Sequence, residues 1–188
     1  MKATASTLRI AAVLAALLVI AGCNPIAKDS KSPSMLIVAG ITGTTIGGVS
    51  GLILESDVST GTSDSATATL QAALINPNSL TGPSQYNDIT LTGYKIDYTL
   101  PDGTGDPGVT VPASMEGTCS SLLIKIGESK DVDFIAVLAA AKVNPPLNAY
   151  LGSTTPHEFI AHCTFIGVDG ANHSVQGKGQ LTIMFADY

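Results

Sequence analysis

Residues 157–162, "HEFIAH", place two histidines around a glutamate, the pattern in this chain that comes nearest to a catalytic motif. Zinc hydrolases built on such a motif need histidines at i and i+4, so that both imidazoles reach one metal from one helix face. His157 and His162 are five residues apart, and in a strand they point to opposite faces. His173 lies at a predicted turn and completes no ligand set. The sequence therefore predicts no metal site.

Three other segments carry residues that could take part in chemistry. Ser50 lies in "GGVSG", where the second glycine comes one residue too early for a nucleophile elbow. The segment "GITGTTIGG" has no lysine and does not form a phosphate loop. Asp102 and Asp106 are interpreted as turn-forming acids, with calcium binding as the alternative. We predict no catalytic residue and no cofactor.

The N-terminus, "MKATASTLRIAAVLAALLVIAGC", has a short basic start followed by an uncharged apolar run over residues 10–21. Small residues then precede Cys23, as in a secretory signal. The run is too short and wrongly flanked for a stable membrane span. The last four residues, Ile20-Ala21-Gly22-Cys23, resemble the lipobox of bacterial lipoproteins.

This resemblance implies that residues 1–22 are a signal peptide, removed before a lipidated Cys23. Diacylglycerol on the thiol and an acyl chain on the amine would anchor the chain firmly, since one chain alone binds only marginally. Residues 23–34 are then the lipidated N-terminus and a polar tether. In lipoproteins of this type, an aspartate directly after the lipidated cysteine favours retention in the inner membrane, and this chain has Asn24 there. We therefore expect a lipid-anchored protein of the outer membrane in the cell envelope. The sequence leaves open which face of the membrane it occupies.

The charge of the mature chain changes on cleavage. The full sequence has 9 basic and 15 acidic residues; losing Lys2 and Arg9 leaves 7 and 15, a net charge of −8 with no arginine. Nucleic-acid sites depend on arginine contacts and positive potential. The charge therefore predicts no nucleic acid as a partner, while the lipobox resemblance implies membrane lipid through Cys23 and other envelope proteins as partners.

Residues 35–54 form an uncharged stretch of twenty residues, "MLIVAGITGTTIGGVSGLIL". Gly43, Gly47 and Gly51 are spaced by four, as in close-packed membrane helices. However, five of the twenty residues are glycine and many others are β-branched, which favours strands over a helix. We interpret the stretch as two glycine-interrupted strands, with a membrane helix as the alternative.

Later segments alternate apolar and polar residues with the period of half-buried strands. In residues 88–103, Ile89 and Leu91 have the opposite parity to the following apolar residues, which predicts a bulge near Thr92-Gly93. A polar loop is predicted over 55–65 and a hairpin over 159–185 with its turn at 169–172. The predicted inward faces are Ala66, Ala68, Leu70, Ala72, Leu74; Tyr94, Ile96, Tyr98, Leu100; Leu122, Ile124, Ile126; Val132, Phe134, Ala136, Leu138; and Phe159, Ala161, Cys163, Phe165 with Val175, Leu181, Ile183, Phe185.

Strands at this spacing are typical of an antiparallel sandwich or barrel. "LTGYKIDYTLPDG" resembles the third strand and turn of a fibronectin type III domain, and "CTFIGVDGANHSVQGKGQLTIMF" resembles the closing hairpin of bacterial immunoglobulin-like domains. The resemblance implies that residues 35–188 form an all-β, antiparallel immunoglobulin-like β-sandwich after the lipoprotein signal peptide.

Two cysteines remain after Cys23. An envelope location permits a disulfide between Cys119 and Cys163. Cys163 has the parity of its buried neighbours, whereas Cys119 is out of step with the apolar residues that follow it. The alternative is two small buried hydrophobic residues, and both stay open.

Three classes of function follow. The first is a membrane-anchored envelope lipoprotein whose sandwich is a non-enzymatic docking or structural module. The second is a glycan-binding module that uses tyrosines such as Tyr86, Tyr94 or Tyr150. The third is a hydrolase whose site has no recognisable motif.

Overall fold

The computed structural model describes residues 32–78 and 82–188. The predictions for the signal peptide, for Cys23 and for the tether up to residue 31 lie outside the described residues. Within them the chain forms β1 Ser34–Thr44, β2 Ser50–Gly51, β3 Ile53–Asp57, β4 Asp64–Leu74, β5 Ile89–Thr99, β6 Met115–Ile124, β7 Ser129–Val137, the short helix α1 Ala139–Lys142, a 3-10 turn η1 Leu147–Tyr150, β8 His157–Asp169 and β9 Ser174–Ala186.

The strands form two sheets, which confirms the all-β prediction. One sheet has the order β2-β1-β4-β7, and the other has the order β3-β9-β8-β5-β6. Neighbouring strands are antiparallel, except that β3 runs parallel to β9. The chain therefore passes from the four-stranded to the five-stranded sheet between β1 and β3, and back again at β4.

The uncharged stretch 35–54 forms strands, as predicted, and not a helix. Among the described residues no helix combines the length and the apolar character needed to cross a membrane. Gly43 has a packing reason: a Cβ there would lie 2.6 Å from the Leu54 Cβ, so only glycine lets β1 pass this close to β3.

The predicted bulge in β5 is confirmed. The register of β5 with both β6 and β8 shifts between Leu91 and Gly93. One extra residue reverses the parity of a strand. Consequently Ile89 and Leu91 before the bulge, and Tyr94 after it, are all buried.

The closing hairpin is also confirmed, with β8 and β9 in register from His157↔Phe185 to Val168↔Ser174. Asn172 adopts a φ of 66° in the turn, a conformation that asparagine tolerates better than most residues. On β9, a Cβ at Gly177 would lie 2.8 Å from the Leu36 carbonyl oxygen. This glycine therefore lets β1 of the other sheet approach β9 closely.

The boundaries of two predicted segments were wrong. The polar loop is residues 58–63, because 55–57 belong to β3 and 64–65 to β4. The pairing Asp57↔Ala186 extends β3 across a contact far away in sequence. Leu138, predicted to face inward, is 38% exposed, because β7 ends at Val137 and the chain turns into α1.

Two tyrosines of β5 cross the core and bond to the backbone of β7. The Tyr98 hydroxyl donates to the Ala136 carbonyl at 2.7 Å, and the Ile135 N–H donates to the Tyr94 hydroxyl at 3.1 Å. The Tyr94 ring also packs edge-on against Phe134, with centroids 5.3 Å apart. These contacts join the two sheets by hydrogen bonds as well as by apolar packing.

Candidate functional site

The three histidines lie in three separate environments. The His157 ring stacks on Tyr150 of η1, with centroids 3.9 Å apart and planes 14° apart. His162 lies about 17 Å further along the same strand and on the outer face of the five-stranded sheet. His173 Nδ1 is 3.1 Å from Asp169 Oδ2 in the hairpin turn. Within residues 32–78 and 82–188, no three His, Cys, Asp or Glu side chains are grouped so that they could hold a metal ion.

Around His162 the outer face of the five-stranded sheet forms a cavity of about 570 Å³. His162 is paired with Asp97 of β5 on one side and with Gln180 of β9 on the other. Thr164 and Lys178 complete the polar lining of this cavity, which we call the outer-face cavity. Regular strand alternation therefore brings side chains from three strands to one place.

His162 uses both of its ring nitrogens in this cavity. Nε2 lies 3.0 Å from Thr99 Oγ1, and Nδ1 lies 3.1 Å from Gln180 Nε2. A hydroxyl beside an imidazole is the first requirement for nucleophilic catalysis. Here the Gln180 amide presents its nitrogen to Nδ1, whereas the orienting group of known triads presents an oxygen that accepts a hydrogen bond from the imidazole. Both ring nitrogens are therefore engaged by neighbouring side chains, and this arrangement does not suit activation of Thr99.

Asp97 supplies the negative charge of the outer-face cavity. Its Oδ1 accepts a hydrogen bond from the Ser114 hydroxyl at 2.6 Å and lies 3.0 Å from Lys95 Nζ. The Ser114 hydrogen bond lowers the pKa of Asp97, and the Lys95 contact adds to this against the opposing effect of partial burial. Asp97 is thus an ionised acceptor at neutral pH.

The tyrosines considered for ligand binding are in different surroundings. Tyr86 is 63% exposed. Tyr150 is half-buried, and His157 covers one of its faces. Tyr94 was wrongly predicted as a ligand platform, because its ring lies in the core and its hydroxyl bonds to β7. Its parity in β5 had indicated the inward face.

The two cysteines are free thiols, on β6 and β8. Strand β5 lies between these strands. Two strand spacings amount to about 9.6 Å, and the Cα atoms of a disulfide are rarely more than about 6.8 Å apart. The structure therefore does not bring Cys119 and Cys163 together. Burial raises the pKa of Cys163 to about 12, so this thiol is a poor nucleophile.

Asp102 and Asp106 lie in one loop but take part in local turn contacts. Asp102 Oδ1 accepts hydrogen bonds from the Thr104 N–H at 2.9 Å and from the Thr104 hydroxyl at 2.7 Å. The Asp106 carbonyl accepts from the N–H of Val109 and of Thr110. These contacts agree with the turn-forming interpretation of both residues.

Two charged residues are buried without a signal in the sequence that predicted it. Lys142 is fully buried, although it ends an alanine run that gives no sign of an ion pair. Asp169, predicted only as a turn residue, is buried too. Its carboxylate accepts from the N–H of Ala171 and His173 and, at 2.7 Å, from the Ser32 hydroxyl. Burial would raise the pKa of Asp169, but these hydrogen bonds together lower it.

Comparison with known proteins gives no family. No protein-family model matches the chain, and no curated protein matches it. A structural-genomics target, SoR45 of the Northeast Structural Genomics Consortium, is similar at a TM-score of 0.38 and 10% identity over 81% of this chain and 86% of that chain. The Pseudomonas fluorescens alkylpurine DNA glycosylase AlkC, bound to DNA containing an abasic site analogue, is similar at a TM-score of 0.34 and 10% identity over 82% of this chain and 31% of that chain.

The second similarity corrects one part of the predicted partners, the exclusion of nucleic acid. The glycosylase is bound to DNA, which contradicts this prediction, and we withdraw its exclusion of nucleic acid. Net charge is a property of the whole chain, whereas binding depends on the local potential of one surface. A similarity this distant assigns no partner to the present chain.

Proposed function

We propose that the protein is a membrane-anchored envelope lipoprotein whose sandwich is a non-enzymatic docking or structural module. The observation that carries this proposal is how the domain uses its buried polar side chains. Among the described residues, no buried side-chain nitrogen or oxygen lacks a hydrogen-bond partner. Lys142 Nζ donates to the Asp57 carbonyl and Asp169 accepts from the Ser32 hydroxyl, so both charged groups are used to join segments of the domain. Internal use of these groups suits a structural role.

The strand order supports an immunoglobulin-like assignment of this domain. Strands β1, β4 and β7 correspond in chain order to A, B and E of such a sandwich, and β9-β8-β5-β6 correspond to G, F, C and C′. The passage of the first strand into the second sheet through β3 fits the same plan. We therefore propose an immunoglobulin-like β-sandwich.

The contacts of Ser32 and Ser34 support a domain that is tethered to a membrane. The Ser32 hydroxyl donates to Asp169 Oδ2, and the Ser34 N–H donates to Ser32 Oγ at 3.0 Å, so the chain is held to the hairpin turn from Ser32 onward. Nine residues, 23–31, precede this point. They can span at most about 30 Å. The domain would then stay close to the membrane, which we propose is the outer membrane.

Intact mass spectrometry of the detergent-extracted protein tests the anchor. A chain that starts at a triacylated Cys23 is expected, because the lipobox resemblance places cleavage before this residue. Cys23→Ser should abolish the lipid mass, whereas Cys119→Ser is the matched control and should keep it. A water-soluble mature chain with an unmodified Cys23 would refute the proposal.

A glycan-binding role is the second candidate, and the outer-face cavity favours it. Beside His162, Asp97 and Gln180 offer planar hydrogen-bonding groups on a rigid sheet, as sites for polar ligands require. A glycan array with the purified protein tests this role, followed by titration of any sugar retained. Gln180→Ala should abolish binding, whereas Asp131→Ala, on the exposed face of β7, should not. Equal affinity of both variants would exclude this cavity as the site.

A further inference from the structure

The proposed function leaves one feature of the sequence unused, the uncharged segment 32–54. Of the 9 basic residues, Lys2, Arg9, Lys28 and Lys31 precede residue 32, which leaves 5; of the 15 acidic residues, Asp29 precedes it, which leaves 14. All nineteen of these charges follow residue 54. The acidic domain therefore begins with a charge-free segment, made of β1, β2 and the start of β3, and residues 65–87 form a second one.

This segment ends in a hairpin of defined shape. The end of β1 pairs with β2 at Gly43↔Gly51 and Thr44↔Ser50. The Thr45 N–H donates to the Val49 carbonyl at 3.0 Å, and the turn is completed by Gly48 with a φ of +76°. The Ile46 N–H donates to Glu55 Oε2 at 2.8 Å, which ties the turn to β3. The hairpin is thus held by hydrogen bonds to itself and to β3.

The side chains of residues 46–53, which we call the apolar hairpin, are largely exposed. Ile46 is 55% exposed, Val49 66%, Leu52 77% and Ile53 40%. Turns of soluble domains usually carry polar residues. Four large apolar side chains within eight residues therefore form a patch of the kind that marks a protein or membrane contact.

The geometry points to a lipid bilayer as the surface that covers the apolar hairpin. This inference rests on the proposed lipid anchor at Cys23. The tether reaches at most about 30 Å, and β1 runs about 33 Å from Ser34 to Thr44. When the β1 side of the domain lies along the bilayer, the tether and the apolar hairpin both meet the membrane.

Charge favours the same orientation. Anionic lipid headgroups repel acidic surfaces, and the repulsion extends over about a Debye length. Segment 32–54 carries no charge of its own and is repelled less, although the Glu55 carboxylate lies beside its turn, whereas β7, at the far edge of its sheet, exposes Asp131 and Asp133. The bilayer would cover the apolar side chains of the hairpin and leave the acidic edge in water.

Tryptophan fluorescence in the full, lipidated chain tests this orientation, since the natural sequence contains no tryptophan. Leu52→Trp places the reporter in the apolar hairpin. Leu123→Trp is the control, because Leu123 is 45% exposed on β6, at the opposite edge of the five-stranded sheet from β3. Both variants are reconstituted into phosphatidylethanolamine–phosphatidylglycerol vesicles, with and without bromine on the acyl chains.

We expect brominated lipid to remove most of the Leu52→Trp emission and to leave Leu123→Trp unchanged. Unquenched Leu52→Trp in protein that floats with the vesicles would overturn the inference while the anchor stands. If that tryptophan is also shielded from aqueous acrylamide, a second copy of the chain covers the hairpin instead. Protein that does not float would refute the anchor, and the inference with it. Val49→Trp repeats the test should Leu52→Trp not fold.

Discussion

The buried ammonium of Lys142 gives the sharpest prediction for stability. Its Nζ lies 2.9 Å from Asp64 Oδ2, and it donates to the Asp57 carbonyl at 2.8 Å and to the Thr60 hydroxyl at 3.0 Å. All three ammonium hydrogens therefore have partners. These bonds tie α1, which follows β7, to the 58–63 loop that joins β3 and β4. Lys142→Met keeps the aliphatic bulk and removes the charge.

The expected loss follows from what the substitution leaves unpaired. Removing one partner of a buried ion pair costs about 3–5 kcal/mol of the free energy of unfolding. The Asp64 side chain is 20% exposed and can be partly rehydrated, which places the loss near the lower end, about 3 kcal/mol. A domain of this size then melts about 6–12 °C lower.

Urea unfolding followed by far-ultraviolet circular dichroism measures this loss. Lys178→Met is the matched control, because Lys178 is exposed on β9 and its substitution should change stability by less than about 0.5 kcal/mol. Adding Asp64→Leu to Lys142→Met should recover part of the loss, since no unpaired carboxylate then remains. Equal unfolding midpoints for Lys142→Met and Lys178→Met would show that the buried ion pair does not stabilise the fold.

Phe165→Ala should cost about 3–5 kcal/mol in urea unfolding, because the ring is fully buried; Lys178→Ala should cost almost nothing, and equal effects would contradict the strand register. Tyr98→Phe leaves the Ala136 carbonyl unpaired and should cost about 1–3 kcal/mol by thermal denaturation; an unchanged melting temperature would show that this bond contributes nothing. The pKa of Asp169 is lowered from 3.8, so its stabilisation is complete above that value and is lost as the pH falls through the folded-state pKa. The free energy of unfolding of Asp169→Asn should therefore depend less on pH below about pH 4 than that of the unchanged protein. The same pH dependence in both proteins would refute this assignment.

Local patterns predicted much of the fold because alternation is a property of a single strand. The buried residues of β4 and β8, and those of β9 up to Phe185, occupy one parity, so each apolar face could be read from the strand alone. The bulge at Thr92 was predictable for the same reason, since a change of parity within one strand requires an extra residue. The turn at 169–172 was predictable because it contains Asp, Gly and Asn, which favour turns.

Contacts between distant parts of the chain were not predictable in this way. The parallel pairing of β3 with β9 joins residues about 130 positions apart and extends a strand into a segment that is locally polar. The outer-face cavity needs β5, β8 and β9 to be neighbours, and alternation does not say which strands are neighbours.

The sequence by itself therefore determined most of the strands and of their inward faces, and the spacing that separates His157 from His162. Only the tertiary structure decided that β5 separates Cys119 from Cys163 and that Lys142 is buried against Asp64. The alternation of apolar and polar residues shows which face of a strand packs against the core. The partner of a buried charge or thiol depends on which strands and loops become neighbours, and that is determined by the packing of the whole domain.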